Sequence, residues 1–491
     1  MKRYSVIILI AILSFSCTKL LEEEVFIEIA SNNFFQNDQD AQDAVEGLYA
    51  KIRSDGPVTA NNGQRESWGF YGMGEGSVFN FNEAPTDELY VTWETYGGYW
   101  QYFEEFQWLP NSGGHFDQMF SDIFEGVAIA NNIIENIEHD GISQEVQDRV
   151  KGEALMARGL FYSTAISFYG SVPLVLSVVN DPLYLPPQAP KADLVNSVVE
   201  DLNAAAGLLP DEVPPTDYGR FTKGAALALL ARFQLNQKNW EGARDAAQAL
   251  IDLGVYSLSE NYADIFAVDN EGNPEIIFPI PCIAQPGIGN TFIAHTAEPD
   301  YVTGGWGGHQ VRNEFYDTFD STDIRRTLLL KDYKSITGSD ETVNTGYMIM
   351  KYQVDPGRVG AWAGNDLVIL RYADVLLTLA EALNEISGPN QESIDLINEL
   401  RKRAFNDDPA KLLQLSDFST KEELRSHILD ERGWELYAEG YRRDDLIRHG
   451  EFISRAVARG KAAMDFHVLY PIPQVERDRN VNLGQNVGYD E

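Results

Sequence analysis

Cysteine and histidine are scarce in this chain of 491 residues, which has two cysteines and seven histidines. The cysteines, Cys17 and Cys282, cannot form a disulfide framework. The histidines form no HxH or HExxH pair, so the sequence predicts no metal site and no cofactor, although it leaves calcium binding open. Because GxSxG, P-loop and GxGxxG motifs are also missing, nothing in the sequence supports an enzymatic activity.

Positive charge is also scarce. The 38 lysines and arginines are outnumbered by 75 aspartates and glutamates, which gives a net charge of −37. Such a surface repels phosphate groups, so we exclude nucleic-acid binding, and it disfavours anionic substrates unless a local basic pocket exists. Hydrophobic residues still make up 44% of the chain, enough for a substantial core. The length allows two or three domains or one large helical array.

The amino terminus has the pattern of a secretion signal. Lys2 and Arg3 precede an apolar run, 4–15, that is too short to span a bilayer. The run ends in Leu-Ser-Phe-Ser-Cys, which resembles a lipobox, so residues 1–16 are predicted to be a signal peptide and Cys17 the lipid attachment site. Two or three acyl chains would tether the protein without a transmembrane segment. The alternative is an ordinary secretory signal with a chance cysteine.

Helical periodicity dominates the rest of the chain. The clearest example lies in 149–175, where apolar or small residues recur every three or four positions until Gly170 and Pro173 end the helix. Its small residues Ala154, Ala157 and Gly159 should let a neighbouring helix approach closely. Further helices are predicted at 43–52, 117–138 and 191–209, and helix pairs at 225–234 with 240–253, 366–386 with 391–404, and 421–440 with 442–459.

Two aromatic-rich segments, 67–108 and 268–364, interrupt this pattern, although 275–279 is weakly strand-like. Between them they carry six of the eight tryptophans: Trp68, Trp93, Trp100, Trp108, Trp306 and Trp362. Clusters of exposed aromatic side chains are typical of binding surfaces, whereas buried ones would fill a core beneath long loops. We expect the two segments to converge on one face of the helical scaffold.

Several motifs, in this order, resemble those of the SusD/RagB family of nutrient-binding lipoproteins from Bacteroidota-type bacteria. The lipobox and the helix closed by Tyr169-Gly170-Ser171-Val172-Pro173 come first. They are followed by Arg371-Tyr372-Ala373-Asp374-Val375 with Ala380-Glu381-Ala382 and Arg401-Lys402-Arg403-Ala404, by Glu431-Arg432, Glu435-Leu436, Glu439-Gly440, Arg442 and Asp445-Leu446, and by Tyr470-Pro471-Ile472-Pro473 and Gln485-Asn486-Val487-Gly488-Tyr489. The likeness covers essentially the whole mature chain.

The resemblance implies a mainly α fold: a scaffold of tetratricopeptide-like helix pairs with two irregular, loop-rich insertions. It divides the chain into the signal peptide, 1–16, an N-terminal region, 17–220, and a C-terminal region, 221–491, which form one compact unit in space. It also implies a lipid-anchored outer-membrane protein facing the exterior, which captures a nutrient and passes it to a SusC-like TonB-dependent transporter. The acidic run Glu22-Glu23-Glu24 is either a surface-export signal or a solvated linker.

A glycan, as oligosaccharide or polysaccharide, is the favoured nutrient. Aromatic side chains offer rigid apolar area to the faces of sugar rings, and Tyr and Trp add a polar handle. The family's binding loops vary, so the candidate ligand residues are chosen by composition and position: Trp93, Tyr96, Trp100 and Trp306, with Asp87 as a hydroxyl acceptor and Trp68 and Trp362 in second place.

Three other functions remain open at this point. A helical-repeat adaptor would bind only protein, a peptide-uptake component would bind a non-sugar nutrient, and a surface glycosidase would need paired carboxylates. Glu431, Glu435 and Glu439 are spaced for one helix face, but the neighbouring arginines favour an ion-pair network there. We therefore predict that the protein is not an enzyme.

Overall fold

The computed structural model describes residues 34–53, 70–74, 76–93, 99–111, 114–181 and 183–489, and of residues 99–101, 114 and 115 only the backbone. The predictions for the signal peptide, Cys17 and the acidic run lie outside these residues. Among the described helices, none is both long and apolar enough to cross a bilayer.

Helices make up most of the described chain. Those of the first half are α1 Asp38–Arg53, α2 Val78–Glu83, α3 Tyr99–Glu105, α4 Gly114–Asn136, α5 Gln144–Tyr169, α6 Lys191–Leu208, α7 Lys223–Asn236 and α8 Trp240–Ile251. Those of the second half are α9 Phe292–Thr296, α10 Asn313–Tyr316, α11 Tyr372–Ser387, α12 Gln391–Ala404, α13 Lys421–Leu436, α14 Arg442–His449, α15 Phe452–Ala458 and α16 Gln474–Arg479. The mainly α fold is confirmed.

Most contacts in the scaffold join helices that follow one another in the chain. Helix α5 packs between α4 and α6, α7 packs on α8, and α11 packs on α8, α12 and α13. Helix α5 is buried along most of its length, including Ala154, Ala157 and Gly159. A Cβ on Gly159 would lie 2.8 Å from Leu202 of α6, so the small residue does permit the close approach predicted from the sequence. The main cluster of buried hydrophobic side chains has members from Phe35 to Tyr489, and a second cluster lies between helices α11, α12 and α13.

Among the described residues, short strands form three sheets. They are β1 Leu89–Val91, β2 Ile276–Ile280, β3 His309–Val311, β4 Leu329–Leu330, β5 Asp332–Lys334, β6 Asp340–Thr342, β7 Tyr347–Ile349 and β8 Leu367–Arg371. One sheet has the order β1-β3-β7-β4, and the other two are the antiparallel pairs β2-β8 and β5-β6. The first of these sheets joins the two aromatic-rich segments, since β1 comes from one and β3 from the other.

Some predicted boundaries are wrong. The helix predicted from residue 366 begins at Tyr372, because the apolar run Leu367–Arg371 is a strand that pairs with Ile276–Ile280. The helix predicted over 442–459 is two helices, since Gly450 takes a left-handed conformation with φ +74°. The helix predicted over 421–440 ends at Leu436, so Glu439 lies in the following turn.

The ion-pair network predicted around Glu431, Glu435 and Glu439 is present, but its arginines come from distant segments and not from the neighbouring residues in sequence: Arg432, for example, pairs with Asp374 and Asp445 instead. Arg371 reaches Glu275, Glu435 and Glu439 at 2.7–2.8 Å, and the side chains of all four are almost completely buried. Cations and carboxylates balance in this cluster, which consists of Arg325, Lys351, Arg371, Arg401, Arg403, Glu275, Asp323, Glu431, Glu435 and Glu439. Burial alone would raise the pKa of Glu435, but the surrounding arginines hold it well below its usual range.

Candidate functional site

Antiparallel pairing of β1 with β3 brings two tryptophans from distant parts of the chain together. Val91 lies opposite His309, and beyond the strands the Thr92 N–H donates to the Gly308 carbonyl at 2.7 Å. Trp93 follows this contact and Trp306 precedes it. Their ring centres are 6.3 Å apart, and the Trp93 indole N–H donates to the Trp306 carbonyl at 3.2 Å.

The sequence around Trp306, Gly304-Gly305-Trp306-Gly307-Gly308, permits this arrangement. Gly304 and Gly307 have φ values of +86° and +62°, which side chains with a Cβ rarely adopt. A Cβ on Gly308 would lie 2.1 Å from the Trp93 ring, so the indole packs directly on bare backbone. Trp306 remains 37% exposed, and Trp93 is half-buried beside it. The pair therefore offers an aromatic surface to solvent.

Two buried histidines pack against the two tryptophans. His295 lies 4.8 Å from the Trp306 ring and 5.6 Å from the Trp93 ring, and His309 packs edge-on against Trp93 at 5.6 Å. Burial lowers the pKa of His295 to about 4 and that of His309 well below its usual value, so both are uncharged at neutral pH. Both histidines are therefore part of the packing around the two indoles.

Glu298 supplies the carboxylate nearest to this surface among the contacts described. Its Oε1 accepts a hydrogen bond from Gln310 at 3.1 Å, and a Cβ on Gly307 would lie 2.8 Å from its Oε2. Burial and the charge of Asp300 raise the pKa of Glu298. The sequence reasoning missed this residue, because a single glutamate beside a proline gives no signal of its own; its place in the loop that leads to Trp306 was the only indication.

Trp362 lies on the adjoining loop. Val359 and Trp362 form an isolated antiparallel β-bridge. A Cβ on Gly304 would lie 3.0 Å from the Gly360 backbone. The loop that carries Trp362 therefore touches the loop that carries Trp306. Trp362 itself is half-buried, with its Cβ 2.5 Å from the position that a Cβ on Gly289 would occupy.

Asp87 has a different environment from the one the sequence suggested. Arg442 donates to both of its carboxylate oxygens at 2.9 Å, and Arg455 donates to Oδ2 at 2.5 Å. Burial alone would raise the pKa of Asp87, but the two guanidinium groups hold it well below its usual range. With both oxygens engaged by arginines, this carboxylate ties β1 to helices α14 and α15 instead of facing a ligand.

The remaining candidates cannot be placed. Trp68 and Tyr96 lie outside the described residues, and of Trp100 only the backbone is described, in helix Tyr99–Glu105. Several other aromatics of the first insertion fill the core, as the alternative interpretation foresaw: Phe70, Phe79, Phe81, Phe103, Phe106 and Trp108. Within the described parts of the chain, no group of three or more His, Cys, Asp or Glu side chains could hold a metal ion.

Two family models match the chain in separate regions. The model described as the SusD family matches residues 301–489, and the model described as starch-binding associating with outer membrane matches residues 69–235. The first match contains Trp306 and Trp362, and the second contains Trp93.

Curated relatives match over nearly the full length. SusD-like protein P25 of Formosa agariphila is 27% identical over 95% of this chain and 94% of its own. The starch-binding protein SusD of Bacteroides thetaiotaomicron is 25% identical over 90% of this chain and 92% of its own.

Solved structures share the fold. A SusD homologue from Bacteroides thetaiotaomicron superimposes with a TM-score of 0.80 at 21% identity, covering 94% of this chain and 98% of its own. A laminarin-binding SusD-like protein superimposes with a TM-score of 0.77 at 22% identity, covering 93% of this chain and 100% of its own.

Proposed function

Because this chain belongs to the SusD/RagB family, we propose that it binds an extracellular glycan at the surface formed by Trp93 and Trp306 and delivers it to a TonB-dependent outer-membrane transporter. SusD-like proteins are carbohydrate-binding and non-catalytic, which agrees with the expectation from the sequence that the chain is not an enzyme.

One observation carries the proposal: two indoles from segments far apart in sequence lie side by side, with Trp93 packed on the bare backbone of Gly308 and Trp306 exposed. The apolar face of a sugar ring can stack on such a ring, which loses little conformational entropy on binding because it is already fixed. Trp306 is the exposed ring on which we expect a sugar to stack, with Trp93 beside it.

Polar groups next to the indoles would fix the orientation of the sugar. Glu298 lies beside Gly307 and can accept hydrogen bonds from ring hydroxyls. We therefore replace Asp87 by Glu298 as the proposed hydroxyl acceptor and keep Trp362, on the adjoining loop, as an outer contact. Tyr96, Trp100 and Trp68 stay predictions for the same surface.

Titration of a soluble form, residues 18–491, against a panel of polysaccharides and glycopeptides tests the proposal. We expect saturable binding to at least one glycan with no product released. A response to peptides alone would favour the peptide-uptake alternative, and release of reducing ends would show a glycosidase.

Single substitutions then locate the site. Trp93→Ala and Trp306→Ala should each weaken glycan binding at least about tenfold, which corresponds to about 1.4 kcal/mol. The control Trp240→Ala, in the scaffold against Leu235 and Ala382, should leave the affinity unchanged. Asp87→Asn should do the same while lowering the thermal midpoint, since it breaks contacts with two arginines. Equal affinity in all four variants would refute the site.

The anchor and the partner need separate tests. Cys17→Ala should abolish labelling of the protein with radioactive palmitate and release it from the outer membrane. Labelling that persists in this variant would show that Cys17 is not the attachment site. Co-purification of a SusC-like β-barrel protein with the full-length chain from solubilised outer membranes would support delivery to a transporter.

A further inference from the structure

A partly enclosed pocket lies where the N-terminal and C-terminal parts of the scaffold meet. It contains about 940 Å³ of unfilled space, within the range of about 300–1,000 Å³ that is usual for small-molecule sites. Helices α2, α5, α7 and α14, strand β8 and the turn after helix α13 all contribute to its wall. Seven aromatic side chains line it, among them Tyr71, Phe79 and Phe292. The pocket therefore has the size and the aromatic wall of a ligand site.

This pocket is a neighbour of the tryptophan surface but not a part of it. Phe79 lines the pocket, and its ring centre lies 6.1 Å from that of His309, which packs edge-on against Trp93 at 5.6 Å. Phe79 and His309 are both buried, and neither Trp93 nor Trp306 belongs to the pocket wall. A ligand in the pocket would therefore be separate from a glycan on the two tryptophans.

Asn82 has an unused hydrogen-bond acceptor in the pocket wall. Its side-chain N–H donates to the Gly440 carbonyl at 3.0 Å, but its Oδ1 accepts no hydrogen bond from the described residues, although Asn82 is only 5% exposed. A buried acceptor without a donor costs free energy, which is recovered when a molecule in the pocket supplies the donor. Asn82 thus favours a ligand that can donate a hydrogen bond.

Three further polar groups of the wall have spare hydrogen-bonding capacity. Asp444 accepts from Ser167 at 2.6 Å and from Arg443 through Oδ1, whereas its Oδ2 has no partner in the described part of the chain. The Arg232 guanidinium donates through Nε and Nη2 and leaves Nη1 without a described acceptor. The Tyr71 hydroxyl also makes no hydrogen bond with the described residues, and burial raises the pKa of Tyr71, so the hydroxyl keeps its proton.

The turn after helix α13 forms part of the wall in a strained conformation. Ala438 has a φ of +56°, in the left-handed region that residues with a Cβ rarely adopt. Buried charged groups hold this turn in place: Glu88 accepts from the Ala438 N–H, and Lys351 donates to the Tyr437 carbonyl at 2.8 Å. Backbone strain that is maintained by its surroundings is found mostly at functional sites, which agrees with a ligand in this pocket.

The charges and polar groups of the wall indicate which class of ligand fits. Every charged side chain in the wall has an ion-pair partner, and the pairs are Arg232–Asp374, Asp444–Arg443 and Glu439–Arg371. A charged ligand would therefore meet no uncompensated opposite charge. The spare groups are acceptors, a donor and a hydroxyl, a mixture that suits ligand hydroxyls, because each of these both donates and accepts. The aromatic wall suits the apolar face of a sugar ring.

We propose that this pocket binds a single neutral sugar unit, at a second site distinct from the tryptophan surface. An enclosed pocket holds one ring and selects it by its hydroxyls, whereas the exposed indole can bind a unit within a long chain. The inference goes beyond the proposed function and does not depend on it, since Trp93 and Trp306 take no part in the pocket.

Saturation-transfer NMR of residues 18–491 with glucose, galactose, mannose and N-acetylglucosamine tests the proposal. We expect saturable binding of at least one of these sugars. Ser163→Leu should weaken it at least about tenfold, because Ser163 is a half-buried residue of the wall and a leucine there would occupy the space of the ligand. Tyr71→Phe should weaken it about three- to tenfold through the loss of one hydrogen bond.

Matched controls make the same two changes outside the pocket. Ser454, like Ser163, is a helical serine whose hydroxyl donates to the carbonyl three residues earlier, and Tyr372 is a half-buried tyrosine whose hydroxyl has no partner among the described residues. Ser454→Leu and Tyr372→Phe should bind the sugar as the wild type does. Thermal midpoints check that all four variants are folded.

The proposal is overturned if the wild type binds none of the four sugars, or if Tyr71→Phe binds them no more weakly than Tyr372→Phe. It is also overturned if Trp306→Ala abolishes sugar binding while the two pocket variants retain it, since the sugar would then lie on the tryptophan surface. That last result would leave the proposed function standing. Conversely, a protein that binds no polysaccharide but loses hexose binding in Ser163→Leu would keep this inference and refute the proposed function.

Discussion

Two carboxyl groups, Glu83 and Glu88, are buried next to each other. They lie between helix α2 and strand β1, against the turn that follows helix α13. Glu83 accepts hydrogen bonds from the backbone N–H groups of Gly440 and Tyr441 at 2.7 and 3.0 Å, and Glu88 accepts one from Ala438 at 2.5 Å. Burial raises the pKa of Glu83 to about 7, and burial together with the charge of Glu83 raises that of Glu88 well above its usual value.

This pair makes stability depend on pH. Below a pH of about 4.5 the Glu83 carboxyl is protonated in both the folded and the unfolded chain. Between about 4.5 and 7 it ionises only in the unfolded chain, so its contribution to stability falls as the pH rises through its folded pKa. Glu83→Gln keeps an acceptor for Gly440 and Tyr441 and should remove this part of the decline.

Denaturant unfolding of the wild type and Glu83→Gln across this pH range would measure the difference. We expect the variant to gain more than about 1 kcal/mol relative to the wild type between the acidic and neutral ends. Parallel pH profiles for the two proteins would mean that Glu83 ionises normally in the folded state.

Two helical glycines differ in the space around them. Gly126 of helix α4 faces the ring of Phe161 in helix α5, and a Cβ there would lie 2.3 Å from the ring atoms. Phe161 is fully buried and cannot move aside without disturbing the core. Gly47 of helix α1, in contrast, is exposed and has no atom within 4 Å of the position of a Cβ.

Alanine at these two positions should therefore have opposite effects. Gly126→Ala should destabilise the protein by about 1–3 kcal/mol through overpacking. Gly47→Ala should stabilise it by about 0.5–1 kcal/mol, because alanine lowers the entropy of the unfolded chain without a clash. Thermal or denaturant unfolding of both variants checks the signs, and a loss in both would show that helix α1 also lacks room for a methyl group.

The sequence predicted the helices better than the strands, for a physical reason. A helix such as α5 has its periodicity and its stop signals, Gly170 and Pro173, within one local segment. Strand Leu367–Arg371 depends on a partner strand, Ile276–Ile280, that lies far away in the chain. Because this apolar strand leads directly into helix α11, its residues could equally have formed the first turn of the helix. The local sequence pattern therefore could not separate the strand from the helix.

The candidate site was predictable to a similar extent. Composition and position along the chain selected Trp93 and Trp306. The antiparallel pairing of β1 and β3 that brings these rings together is a long-range contact, so it left no local signal. Asp87 was misjudged because its partners, Arg442 and Arg455, lie in a distant segment.

The buried ion-pair cluster joins the second aromatic-rich segment, 268–364, to the strand and helices that carry the C-terminal motifs. Arg371 is at its centre and contacts three carboxylates. Arg371→Met would leave these charges buried and short of a partner, and we expect a loss of about 3–5 kcal/mol or failure to fold. Unfolding curves should show this as a lower midpoint for the entire transition.

Lys334→Met is the matched control. Lys334 pairs with Asp340 in the hairpin β5-β6, and both side chains are largely exposed. Its loss should cost less than about 1 kcal/mol, since water already screens the charges. Equal effects of the two variants would contradict a structural role for the buried cluster.

The contact between Trp93 and Trp306 also has an optical consequence. Two indoles 6.3 Å apart and inclined by 57° couple their transition dipoles, which produces a paired circular dichroism band that neither ring has alone. His295 beside them is uncharged at neutral pH, so it does not quench their fluorescence as a protonated imidazole would. A sugar that stacks on the exposed ring of Trp306 would change both signals, and the protein would thus report its own occupancy without an added dye.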